Sequence, residues 1–282
     1  MTARHDDEAR RRYWTEYMDE MDRLVDEMLA YPHEECGEPL APIPEAMKAA
    51  GAEVTFSDTL IGGRFPRVFA IRERLLPDLV EAALDMNRQG WIMRIEDAFR
   101  SMEMQTLLGR SEEAFDLVVG ACVWECGGET PPIDLVFRRS RVLVANYGKV
   151  GTHMQGTAVD ISVFRQEDGS EVWRGKPYLE MSAVTPMDSP FITDEDRANR
   201  REITEVMARH GFLHFPGEFW HYSKGDLLCE ILTDGGQPGI YGPVHWDEAT
   251  GEVTPYDDPD RPLIPSEEME AELAKALARA QP

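Results

Sequence analysis

Two short segments, far apart in the chain, constrain the fold more than any other feature. The first is Gly151-Thr152-His153-Met154-Gln155-Gly156, which runs into an alternating stretch, Thr157 to Val163, that carries Asp160. The second is Gly217-Glu218-Phe219-Trp220-His221-Tyr222. Of the seven histidines, only His153 and His221 stand in local sequence that gives a metal a reason to be there. A turn at Gly156 can bring His153 and Asp160 onto one ion. His221 then completes three ligands, the number that leaves a catalytic zinc one open tetrahedral position for water. Zinc lowers the pKa of that water to about 7, and Glu218 is placed to take its proton. Any fold of this chain has to carry these two segments to one place.

That demand has a local consequence. Residues three apart on a regular strand point to opposite faces, so Glu218 and His221 can share a site only if the backbone bulges or the strand begins between them. The surrounding sequence supplies the other elements of a mixed fold. Apolar residues at spacings of three and four, from Tyr13 to Leu29, predict an amphipathic helix over Asp7 to Ala30. Pro32, Gly37, Pro39, Pro42 and Pro44 mark a linker or extended arm. A second helix is expected through Leu79 to Met86, with Pro77 in its first turn and Gly90 at its end. Strands are expected at Trp91 to Ile95, Val142 to Ala145 and Thr157 to Val163, with one helix from Met102 to about Val119 and a break from Gly127 to Pro132. Asp194 to His210 predicts a helix closed by Gly211. A hairpin follows, Phe212 to Phe215 and Glu218 to Tyr222 about a Pro216-Gly217 turn. After an Asp- and Pro-rich linker, Tyr256 to Pro265, a charged helix is expected from Ser266 to Ala280, docking loosely or mediating self-association.

Taken together, the residues resemble a known family. His153-x-x-Gly156-x-Ala158-x-Asp160 followed by Glu218-x-Trp220-His221 is similar to the zinc D-alanyl-D-alanine dipeptidases and to their relatives, the D,D-carboxypeptidases and lysostaphin-like endopeptidases. Glu96-Asp97-Ala98-Phe99-Arg100 looks like the Asp-Ala-Tyr-Arg segment of the dipeptidase branch. Asn199-Arg200-Arg201 with Met207 and Gly211-Phe212 looks like the helix before its Glu-Trp-Trp-His motif. The resemblance covers roughly residues 70 to 226. It implies an α+β fold, an antiparallel sheet cradling zinc, with the helices at the two chain ends as additions. The division it implies is residues 1–50 as helix and arm, 51–250 as catalytic domain and 251–282 as tail.

The resemblance also implies roles. His153, Asp160 and His221 hold Zn2+, Glu218 moves a proton from the metal-activated water to the leaving amine, and Arg100 stabilises the oxygen of the attacked carbonyl. Asp188 is the nearest counterpart of an aspartate that holds the substrate's free amine. Where the family pattern begins with Ser, this chain has Gly151, and Thr152 is the residue that can supply a hydroxyl instead. Ser101 stands where the family has Pro, and Phe99 where it has Tyr. The expected reaction is hydrolysis of a short peptide, D-Ala-D-Ala or a related dipeptide. The alternatives are a D,D-carboxypeptidase and an amidase acting on a peptide-like metabolite. A non-haem iron oxygenase also uses two histidines and a carboxylate, but it has no use for a base placed like Glu218. The same residue argues against a non-catalytic metal-binding module.

Composition narrows partners and compartment. A net charge of −24 lacks the basic footprint that nucleic acid or an anionic membrane requires. Small substrates are the expected partners, with a homo-oligomer left open. Four cysteines are too few for a disulfide framework, Met1 to Asp7 lacks the apolar stretch of a signal peptide, and no run is long enough to span a bilayer, so the expected compartment is the cytoplasm. Cys122 and Cys126 are read as small buried hydrophobes. His5, His33, His210, His214 and His245 have no convincing ligand cluster. The N-terminal helix is expected to pack across the sheet or the site entrance.

Overall fold

The structure, a computed structural model, describes residues 3–279; Met1, Thr2 and the last three residues, Ala280 among them, lie outside the described residues. Helix α1 (Ala3–Ala30) buries Trp14, Met18, Met21, Val25 and Met28, a stripe at spacings of four and three that wets one side and packs the other. The Pro-rich segment after it is an extended arm rather than a free linker. It leads through β1 (Leu40–Pro42) into α2 (Ile43–Ala50), whose Pro44 suits the first helical turn. The arm is fixed by Arg72, whose buried guanidinium donates to the Glu35 carboxylate at 2.8 and 2.9 Å and to the carbonyls of Glu38, Gln155 and Gly242.

Next come β2 (Val54–Phe56), β3 (Ala70–Arg72), which pairs with β1, and α3 (Leu76–Arg88), then β4 (Trp91–Asp97). The single helix expected from Met102 is two. Ser101 caps α4 (Met102–Arg110), and Ser111, in extended conformation, caps α5 (Glu112–Glu125) by accepting from the Ala114 amide at 3.2 Å. A second correction concerns Val142 to Ala145. Its β-branched residues suggested a strand, but Leu143 is the last residue of α6 (Ile133–Leu143) and Val142 lies on its buried side with Leu135, Val136 and Arg139. Tertiary packing of an amphipathic face has overridden strand propensity here.

The one-turn helix α7 (Thr152–Gln155) precedes β5 (Ala158–Arg165), and α8 (Asp194–Arg209) starts at a capping box between Thr193 and Asp196. The hairpin that follows is shorter than expected: β6 (Leu213–His214) pairs with β7 (His221–Ser223) in the register His214↔Tyr222. The connection is therefore 215–220, not a two-residue turn. It folds on its own amides, with Glu218 N–H donating to Phe215 O and His221 N–H to Glu218 O. The chain continues through α9 (Leu227–Leu232) and the hairpin of β8 (Val244–Trp246) and β9 (Val253–Pro255). Tyr256 and Ile264, in the Asp- and Pro-rich segment, are buried, so that segment is packed. It leads to α10 (Ser266–Arg279), which buries Met269 and Ala276 in a cluster with α5 and α6.

The main sheet has the order β2-β4-β5-β7-β6, with β2 parallel to β4 and the other pairs antiparallel. One face packs Met93, Ile95, Val159, Ile161 and Val163 against α3 and α8 to form the largest core. The other face carries Asp160. Among the described residues, no helix is long and apolar enough to cross a membrane.

Candidate active site

Strand register places the first two donors. Asp160 on β5 stands directly opposite His221 on β7, and cross-strand partners of this kind bring their Cβ atoms to about 5 Å. His221 is the first residue of its strand, so Glu218, in the connection before it, is free of the strand's alternation. The chain meets the local demand in the second of the two ways the sequence allowed. His153 arrives from α7, whose end is turned back into β5 by Gly156 in the left-handed region at φ +70°. A Cβ there would stand 3.0 Å from the Leu40 side chain, so the conformation favours glycine and a larger residue would also have to push Leu40 aside.

The donor atoms converge. His221 Nδ1 lies 2.9 Å and His153 Nε2 3.2 Å from Asp160 Oδ1, and the three residues offer ligand atoms all within 4.8 Å of one another. Each histidine is oriented by its other nitrogen: His153 Nδ1 donates to the Ala98 carbonyl at 2.5 Å, and His221 Nε2 is 2.8 Å from Thr152 Oγ1. A carbonyl can only accept, so the proton of a neutral His153 sits on Nδ1 and its Nε2 lone pair faces the Asp160 carboxylate. Two electron-rich atoms held this close suit a cation shared between them. Two imidazoles and one carboxylate, buried and pre-oriented, suit zinc with a position left open.

Charges around the donors are arranged in pairs. Burial raises the pKa of Asp160, but His153 and His221 outweigh it and hold the carboxyl well below its ordinary range. Its second oxygen accepts from Tyr178 Oη at 2.9 Å and lies 3.8 Å from Arg100. Arg100 donates through Nε to Asp97 at 2.7 Å and through its second amino group at 2.6 Å, and it reaches Gln105 at 3.1 Å. Burial opposes its charge, yet Asp97 and Asp160 hold its pKa above the ordinary value. Glu218 stands apart, its Oε2 3.9 Å from His221 Nδ1. Burial pushes its carboxyl up to about 7, with His221 pulling the other way and Asp160 adding to the rise.

Asp97 reaches this face through a fault in the ladder. Ile95 pairs with Ile161 in the core, and a shift in register between Ile95 and Asp97 sets Asp97 opposite Asp160. Without the bulge, Asp97 would share the core-facing side of Ile95. Tyr178, in an irregular segment, was not visible to sequence reasoning because no periodicity or motif marks it. Thr152 touches His221, whereas Asp188 is exposed and lies in a separate groove beside Tyr17 and Glu20, outside the cavity that holds the metal ligands. Gly151 precedes α7, and a Cβ on it would stand 2.2 Å from Met154 Cε, a fully buried methyl.

A family model described as D-ala-D-ala dipeptidase matches residues 136–234, which include His153, Asp160, Glu218 and His221. Over that segment, about a third of the chain, the protein is similar to the D-alanyl-D-alanine dipeptidases. A relative from Synechocystis sp., named D-alanyl-D-alanine dipeptidase, is 29% identical over 227 residues, 71% of this chain and 87% of that protein. One of the same name from Streptomyces coelicolor is 26% identical over 137 residues, 41% of this chain and 68% of that protein. The solved structure of a vancomycin-resistance D,D-pentapeptidase, VanY, in complex with Zn(II), is 16% identical and covers 74% of this chain and 95% of its own, with a TM-score of 0.35. The matched segment contains both histidines, the aspartate and the glutamate, together with Gly151.

Proposed function

We propose that this chain hydrolyses the amide bond of a short peptide, with D-Ala-D-Ala or a closely related dipeptide of the cytoplasm as substrate and zinc held by His153, Asp160 and His221. The observation that carries the reading is the position of Glu218: beside the donor set, with a raised pKa, and free of the strand that presents His221. Zinc bound there supplies a Lewis acid that makes water a usable nucleophile near neutral pH. Glu218 accepts a proton as water's oxygen adds to the carbonyl carbon, then delivers it to the departing nitrogen as the C–N bond breaks. Arg100, fixed by Asp97 and Gln105, faces the negative charge that grows on the carbonyl oxygen. Thr152 keeps the His221 ring in place.

The test is release of free D-alanine from D-Ala-D-Ala by zinc-loaded protein, beside Glu218→Ala at equal zinc content. Hydrolysis by the wild type and its loss in a variant that still binds zinc support the reading. Equal turnover by both removes Glu218 from its role.

A further inference from the structure

The metal ligands, Arg100 and Glu218 line one end of a cavity of about 120 Å³. The rest of its wall comes from elsewhere. Met21, Leu24, Val25 and Met28, one face of α1, line it together with Val142 and Leu143 at the end of α6. Phe215 joins the two: its ring meets His221 edge-on at 5.8 Å between centroids, and it packs against the same apolar cluster as Leu24. At the cavity's rim, Leu179 keeps an apolar side chain 45% exposed on a backbone with φ +67°, a conformation that a branched residue seldom adopts.

Resting on the peptidase reading, we infer that the substrate carries a bulky apolar group, leucyl-sized or aromatic, on the residue that reaches α1. Among the described residues, the only carboxylates lining the cavity are Asp160 and Glu218, both engaged at the reacting end, so no further acid is present to hold a free ammonium. The cation beyond that end, Arg141, lies 3.5 Å from Asp22 and is also paired with Asp26. A positively charged substituent placed among Met21, Val25, Met28 and Val142 would lose its water and gain no partner. An alanine methyl would leave much of this space without contacts, whereas a leucyl or phenyl group would fill it. Apolar recesses of this kind hold no ordered water and take apolar ligands.

The experiment compares kcat/KM of the zinc-loaded full chain on D-Ala-D-Ala, D-Leu-D-Ala, D-Ala-D-Leu and D-Ala-D-Phe, for wild type, Val25→Phe and Met28→Ala, with folding checked by circular dichroism. The wild type is expected to cleave at least one of the bulky substrates about tenfold to a hundredfold better than D-Ala-D-Ala. Val25→Phe, which occupies the recess, pulls that ratio back toward one, and Met28→Ala shifts it toward the phenyl substrate. Preference of the wild type for D-Ala-D-Ala over every bulky dipeptide overturns the inference and leaves the peptidase reading standing. Cleavage of none of the four overturns the dipeptidase reading and takes the inference with it.

Discussion

The two ends of the cavity are built on different principles. At the metal end, each group is held by a named partner: His153 by the Ala98 carbonyl, His221 by Thr152, Asp160 by Tyr178, Arg100 by Asp97 and Gln105. At the α1 end, the wall is apolar side chains set by packing, from helices that meet across large sequence separations and are tied only outside the cavity's apolar wall by pairs such as Arg139 with Asp19 at 2.9 Å and Lys149 with the Leu29 carbonyl at 2.6 Å. Directional bonds fix atoms to fractions of an ångström, as a reaction needs; dispersion contacts fix only volume, as a choice among side chains needs. The proposed chemistry and the inferred selectivity thus rest on different residues of one cavity.

Substitutions can break or sharpen that contrast. The largest effect is expected from Glu218→Gln, which keeps the shape and removes the base: kcat should fall about 10²- to 10⁴-fold with KM and zinc content little changed, read by steady-state kinetics and metal analysis. Arg100→Lys loses the fork that Asp97 and Gln105 orient, and about 10²- to 10³-fold in kcat is expected. Substitutions at the α1 end should instead move KM and substrate preference, and one that lowered kcat alike on every substrate would break the distinction. Tyr178→Phe removes one bond to the far oxygen of Asp160, and zinc affinity, titrated with a chelating dye, should weaken by about tenfold to a hundredfold.

The smallest effect concerns stability. The Glu218 carboxyl is pushed up to about 7 in the folded chain, so between its unfolded value and 7 the folded state holds a proton that the unfolded state has released. Stability of metal-stripped protein should therefore be greatest below about pH 4.5 as far as this group is concerned, decline as pH rises to 7, and level off above. The loss is roughly 1–2 kcal/mol once the group's partial contact with solvent is allowed for. Glu218→Gln should abolish that slope in urea titrations at successive pH values.

The same contrast governs what could be read from the sequence. His153, Asp160, Glu218 and His221 were legible because each lies in a short segment whose own turn or strand start aims it. The α1 stripe was legible as a period, though not as a wall of the cavity, because its partners Val142 and Leu143 lie more than a hundred residues on. Asp97 was readable only as part of a resemblance, since the bulge that re-aims it leaves no mark in an apolar-polar pattern. Tyr178 left no mark at all. The Val142 to Ala145 error came from reading β-branched residues as a strand where the helix start at Pro132 and Ile133 already decided the matter.

The contact between position 151 and the Met154 methyl ties a choice at the site to the interior. A serine introduced at 151 obliges the end of the buried Met154 side chain to shift. The effects of substitutions at 151 and 154 should therefore be non-additive, and the hydroxyl that a serine would bring is gained only with a repacking beside the site.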